Sequence, residues 1–120
     1  MTFTIGFTAD ALRDLDEIAA YLDRRSGPAR ARRILTGIRK VVESLSALPT
    51  RGSHPDELLE FGVRRYREVF FTRYRIIYRA DERTVTVLLV ADGRRDMRAL
   101  LLRRLLAATP RSSGRTAPNA

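Results

Sequence analysis

The sequence predicts an α+β domain: a small antiparallel sheet with an N-terminal helical hairpin packed on one face, in the order β-α-α-β-β-β-α. Three observations predict it. Between residues 12 and 48 apolar side chains recur at steps of three and four, interrupted once by Ser26-Gly27-Pro28. From about residue 64 to 91 the apolar period shortens towards two and the residues become β-branched and aromatic. After that, residues 95–107 return to a helical period.

The first strand is expected in "TFTIGF", residues 2–7, where alternation puts Phe3, Ile5 and Phe7 on one face. Thr8 is placed to cap a helix with Leu12, Leu15, Ile18, Ala19 and Leu22 inward and Arg13, Asp14, Asp16, Glu17, Asp23 and Arg24 outward. "SGP" ends that helix, and Pro28 suits the first turn of a second. The second helix repeats at Ala31, Ile34, Leu35, Ile38, Val41, Val42, Leu45 and Leu48 and is expected to stop at Pro49. A connection that short makes the two helices an antiparallel hairpin. "PTRGSHPDELLEFG" reads as an irregular linker, followed by strands near 64–70, 73–79 and 84–91 with turns at Phe71-Thr72 and "ADER". The last strand, "TVTVLLVA", is apolar enough to be central or well covered. In the third helix Met97, Leu100, Leu101 and Leu105 point inward. One domain is expected over residues 1–108, with a flexible C-terminal tail over 109–120.

Composition narrows function. The 120 residues carry 23 Lys+Arg against 14 Asp+Glu, a net charge of +9 that favours a polyanionic or acidic partner. There are no cysteines, so disulfides, thiol nucleophiles and thiolate metal sites are excluded, and the lone His54 makes no metal cluster. No metal and no cofactor is expected. The N-terminal residues do not read as a signal peptide and no apolar run approaches a membrane span, so the chain is expected to be cytoplasmic, with no membrane partner.

The arginines concentrate in "RRYREVFFTRYRIIYR", residues 64–79. Alternation along 73–79 puts Tyr74, Ile76 and Tyr78 under the hairpin and Arg73, Arg75, Ile77 and Arg79 on the opposite, open face. Arg65 and Arg67 share a side of the preceding strand, and Arg94, Arg95 and Arg98 follow the last one. Guanidinium binds phosphate in a bidentate fork, which makes Arg65, Arg67, Arg73, Arg79, Arg94 and Arg98 candidates for nucleic-acid or target binding. Arginine on an exposed sheet face also discourages edge pairing, which is the plainer account of any one of them.

Four features together resemble the RelE/ParE superfamily of toxins from type II toxin–antitoxin modules, including its plasmid-stabilisation proteins. They are the element order, "PTRGSHPDEL" in the linker, "YRIIYR" at 74–79 and "LLVADGRRDM" at 88–97. The resemblance covers about residues 3–107 and is nearer the ParE-like members. It implies a growth-arresting toxin held in check by a cognate antitoxin, an acidic or amphipathic protein that folds on binding along the hairpin groove and the arginine-bearing sheet face. Two activities occur among such proteins: RelE-like members cleave mRNA on the ribosome, and ParE-like members poison DNA gyrase. Arg75 and Arg95 match the two arginines that RelE-like enzymes set against the scissile phosphate, which makes them the candidate catalytic residues of an endoribonuclease. Tyr66 and Glu68, however, stand where those enzymes carry lysines, and Leu101 where they carry a tyrosine. Glu68 could serve as a base with Tyr66 or Tyr74 as acid, but an ordinary Glu–Arg pair explains it equally well. The incomplete set favours gyrase as target, with ribosome-dependent mRNA cleavage as the alternative and a non-toxic basic nucleic-acid-binding module as a third reading.

Overall fold

The computed structural model describes residues 2–111; the expected tail lies outside the described residues from 112 onward. Strand β1 (Thr4–Phe7) leads into α1 (Ala9–Ser26) and α2 (Pro28–Ser44). A single short turn, α3 (Asp56–Leu59), precedes β2 (Arg67–Phe71), β3 (Tyr74–Asp81), β4 (Thr84–Asp92) and α4 (Met97–Arg111). The α+β architecture is the expected one, with α3 added. Local chemistry marks the boundaries. Thr8 caps α1 by accepting the Ala11 N–H at 3.0 Å, Gly27 turns the chain at φ 91°, and Pro28 opens α2. Thr72 and Glu82 take positive φ in the two tight hairpin turns.

The sheet order is β1-β4-β3-β2, so β4 is central as its composition suggested. The β2–β3 and β3–β4 pairings are antiparallel, but β1 pairs with β4 in parallel, Thr4 opposite Thr84 through Phe7 opposite Val87. The sheet is therefore mixed rather than wholly antiparallel. The direction follows from the connections. The two-helix crossover returns β2 along the direction of β1, and two hairpins reverse the chain twice, leaving β4 parallel to both.

Hydrophobic side chains fill both faces of the sheet. Between the hairpin and the sheet, Ala11, Leu22, Ile34, Ile38, Val42 and Leu45 pack against Val69, Tyr74, Ile76, Tyr78, Val85, Val87 and Val90, flanked by Phe3, Ile5 and Phe7. On the opposite face Ile77, Leu89 and Ala91 pack with Leu58 of α3 and Met97, Leu100 and Leu101 of α4. The face expected to be open is thus covered by a second, smaller core. A bulge makes this possible. Ile77 pairs with Leu89 but Tyr78 with Val87, so Leu88 is the extra residue. Before it Val85 and Val87 face the hairpin; after it Val90 does, and Leu89 and Ala91 turn to α4.

Two hairpin residues depart from their expected places. Leu12 is 50% exposed and Leu48 60% exposed. The buried arc of α1 instead runs through Ala11, Asp14, Leu15, Ile18 and Leu22, rotated to bring Asp14 against the sheet, and α2 ends at Ser44, before Leu48.

Candidate functional site

Arg75 is the second residue of β3, with Phe70 opposite on β2 and Ala91 on β4. Glu68 faces Ile77, two residues along the same face, close enough diagonally for long side chains to meet. Arg75 Nε donates to Glu68 Oε1 at 2.8 Å, and Nη2 lies 2.6 Å from the same oxygen. Nη1 and Nη2 form a two-bond fork to the Glu57 carboxylate, both at 2.8 Å. The Arg75 side chain is only 12% exposed, and its guanidinium lies 5.9 Å from the Phe70 ring centroid. Gly93 gives the side chain room, since a Cβ there would come within 3.0 Å of Arg75 Cδ.

The group is one cation between two carboxylates. Hydrogen bonding to Glu57, opposed by burial and joined by Glu68, raises the Arg75 pKa further above neutrality. The fork from Arg75 holds Glu57 below the usual carboxylate range despite some burial. For Glu68 burial wins: it pushes the carboxyl up, although Arg75 pulls it down. Arg75, expected to confront a phosphate across an open face, is here enclosed by its own counter-ions. Glu68 takes the ordinary Glu–Arg pairing.

The other arginines divide in the same way. Arg67 points to the hairpin side, donating to the carbonyls of Gly52 at 2.8 Å and Thr50 at 3.4 Å. Arg73 and Arg94 share Asp92, each at 2.9 Å, and the Arg94 hydrogen bond is the main cause holding Asp92 down to about 2. Arg79 pairs with Asp81 at 2.8 Å, and Arg65 approaches the same carboxylate at 3.9 Å. Arg98 pairs with Glu60 and stacks over Phe61 at 4.9 Å. Arg95 is exposed, without an ion pair among the described residues. It lines a cleft of about 340 Å³ between α1 and α4 with Asp10, Asp14, Glu17, Arg103 and Arg104, and neither Arg75 nor Glu68 is in its walls. The cleft beside Arg95 is therefore not one that Arg75 enters. Of the candidate acid groups, Tyr74 is buried under the hairpin and Tyr66 packs at the edge of the second core.

The linker before β2 is pinned by the same strands. Tyr78 donates its hydroxyl to the Pro49 carbonyl at 2.8 Å and accepts the Gly52 N–H at 3.1 Å, while Ser53 bridges Glu68. A Cβ on Gly52 would lie 2.5 Å from the Glu68 carbonyl oxygen and 2.8 Å from the Tyr78 hydroxyl. Because the obstacle is backbone, Gly52→Ala is expected to cost about 1–3 kcal/mol, read as a lowered denaturation midpoint in urea.

Two features were not read from the sequence. Asp14, assigned to the solvent face of α1, is buried; it accepts the Val90 N–H at 3.0 Å and a two-bond fork from Arg104 at 2.9 and 3.0 Å. Arg104 also donates to the Leu88 carbonyl at 2.6 Å. These backbone groups flank the bulge on β4, where β1 no longer runs alongside, so side chains from α1 and α4 replace the missing strand. Burial is the largest single influence on Arg104 and opposes its charge, but Asp14 together with Asp10 and Glu17 outweighs it and raises the pKa. The second feature is the location of unpaired charge. Arg24, Arg25, Arg30, Arg32, Arg33, Arg39 and Lys40 are all exposed, and no acidic residue lies between Asp23 and Glu43. That run outweighs the sheet face, where most arginines are neutralised.

The family model described as the ParE toxin of the type II toxin–antitoxin system parDE matches residues 5–97, more than half of the chain. The chain belongs to the ParE toxin family. Two solved structures share the ParE-like fold. A chain of the chromosomal ParDE toxin–antitoxin system from P. aeruginosa is 20% identical with a TM-score of 0.64, over 75% of this chain and 95% of that one. A chain of the toxin–antitoxin complex RelBE2 from Mycobacterium tuberculosis is 27% identical with a TM-score of 0.56, over 77% and 92%. No curated protein matches this ParE-family sequence. Among the described residues of the ParE-family domain, no helix is long and apolar enough to cross a membrane.

Proposed function

We propose that this toxin acts in the cytoplasm on DNA gyrase, without cleaving RNA, when free of its antitoxin. The observation that carries the reading is the enclosure of Arg75 by Glu57 and Glu68. An RNA-cleaving site needs cationic groups free to meet the phosphate and a pair of groups to move protons. Here the central arginine is already neutralised, and Leu101, in the tyrosine position of RelE-like enzymes, is 1% exposed within the second core. That leaves Arg95 as the exposed member of the pair, too little to assemble that chemistry.

The antitoxin is proposed to be acidic and amphipathic. Exposed apolar side chains such as Leu12, Phe61 and Phe70 offer contact area, and the +9 charge supplies complementarity. Purified chain is expected to inhibit supercoiling by purified gyrase, and induced cells to show DNA damage with intact mRNA in primer extension. Growth arrest with unaffected gyrase, or A-site cuts in wild type, would overturn the gyrase reading.

A further inference from the structure

We propose that the outer face of α2 is a docking surface for the backbone of duplex DNA, independent of which target the toxin inhibits. Ile34, Ile38 and Val42 turn to the core, and the opposite side of the helix carries Arg32, Arg33, Arg39 and Lys40, all exposed and none in an ion pair among the described residues. Arg32, Arg33 and Lys40 line a shallow groove of about 460 Å³ with Ala29, Thr36 and Gly37. Gly37 makes room for the Phe71 ring, which a Cβ there would strike, and the long cations stand around the groove.

The spacing suits separate phosphate contacts. Arg32 and Arg33 form one rung and Arg39 and Lys40 a second, seven residues on, or about 10.5 Å along the axis. Each DNA strand presents a phosphate about every 3.4 Å of axis, so rungs that far apart reach different phosphates and do not compete for one. The 17 residues of α2 include no Phe, Tyr or Trp. The Phe71 ring that sits against Gly37 packs into the hairpin-side core, so a single strand, which binds by stacking its bases on successive aromatic rings, finds no series of exposed rings there. Phosphate contacts alone sustain sequence-independent binding, and four exposed cations supply them here. The B-form major groove, about 12 Å wide, admits a helix, unlike the deep, narrow groove of A-form RNA.

The test is fluorescence anisotropy of the full chain with a labelled 20-base-pair DNA of mixed sequence, against the matching RNA duplex, single-stranded DNA and an oligoglutamate peptide. With four phosphate contacts the salt slope is about −3.6, so affinity falls about 150-fold from 50 to 200 mM salt. Arg32→Gln, Arg33→Gln, Arg39→Gln and Lys40→Gln combined is expected to keep its circular dichroism and Tm and to lose most of that slope and at least about tenfold in affinity. A charge-matched control, Arg13→Gln, Arg64→Gln, Arg83→Gln and Arg103→Gln, is expected to bind nearly as wild type. Equal loss in the control, retained binding in the α2 variant, or equal or tighter binding of any of the other three probes would overturn the proposal. Gyrase inhibition is read separately, so failure here leaves that reading standing.

Discussion

Arg75→Ala is expected to lower Tm by roughly 10–20 °C, a loss of about 3–5 kcal/mol. The substitution leaves Glu57 and Glu68 facing one another without a cation, and the Glu68 side chain is only 8% exposed. An uncompensated buried carboxylate either stays charged at a desolvation cost or takes up a proton, and both reduce stability at neutral pH. Glu68→Gln is expected to fall within about 1 kcal/mol of wild type, because a neutral amide oxygen can still accept from Arg75 Nε while the buried charge disappears. The sign with pH follows. Glu68, raised by burial, binds its proton more readily folded than unfolded, so its contribution improves as pH falls from neutrality through its raised pKa. Glu57, lowered by Arg75, contributes stability above its unfolded pKa and loses it as pH falls through its folded one. Thermal melts of both variants at neutral and mildly acidic pH check the pattern. Loss of growth arrest in Arg75→Ala is then a folding effect unless Tm is retained; a variant melting within a few degrees of wild type yet inactive would make Arg75 a target-facing residue.

Asp14→Ala is expected to cost about 3–4 kcal/mol, since one change leaves the Val90 N–H without its acceptor and takes from Arg104 its two-bond carboxylate partner, leaving it the Leu88 carbonyl and a longer approach to Asp10 at 3.9 Å. Asp14 is 9% exposed, and its contacts tie α1 and α4, on opposite faces of the sheet, to the same edge of β4. Asp14→Asn retains an acceptor for Val90 but not the charge, so its loss should be intermediate. A cycle with Arg104→Ala is expected to give a coupling energy above about 1 kcal/mol. Amide exchange at Val90 should accelerate in Asp14→Ala more than at strand positions paired on both sides. Additive single effects would show that the two side chains act separately.

The elements were legible because each carries its own period. Tyr74, Ile76 and Tyr78 alternate under the hairpin as read, and Met97, Leu100 and Leu101 face inward as their helical spacing requires. Glu68 against Arg75 was also within reach, because a short hairpin turn places them diagonally. Glu57 was not, since a single helical turn in an irregular linker leaves no periodic signal. The reading of the arginines as one open basic surface failed for a related reason: alternation tells which face a strand residue occupies but not what covers that face.

From the sequence by itself come the α+β class, the helical hairpin, the three-strand meander and the net positive charge, all consequences of local spacing and composition. Tertiary structure decided the parallel seat of β1, the parity switch at Leu88, the burial of Asp14 with Arg104, and the neutralisation of Arg75 by Glu57. Each joins groups distant along the chain, and whether a charge is free or paired depends on which distant counter-charge the fold delivers to it. The exposed run on α2 remains unpaired because the fold brings no carboxylate within ion-pair distance of it among the described residues.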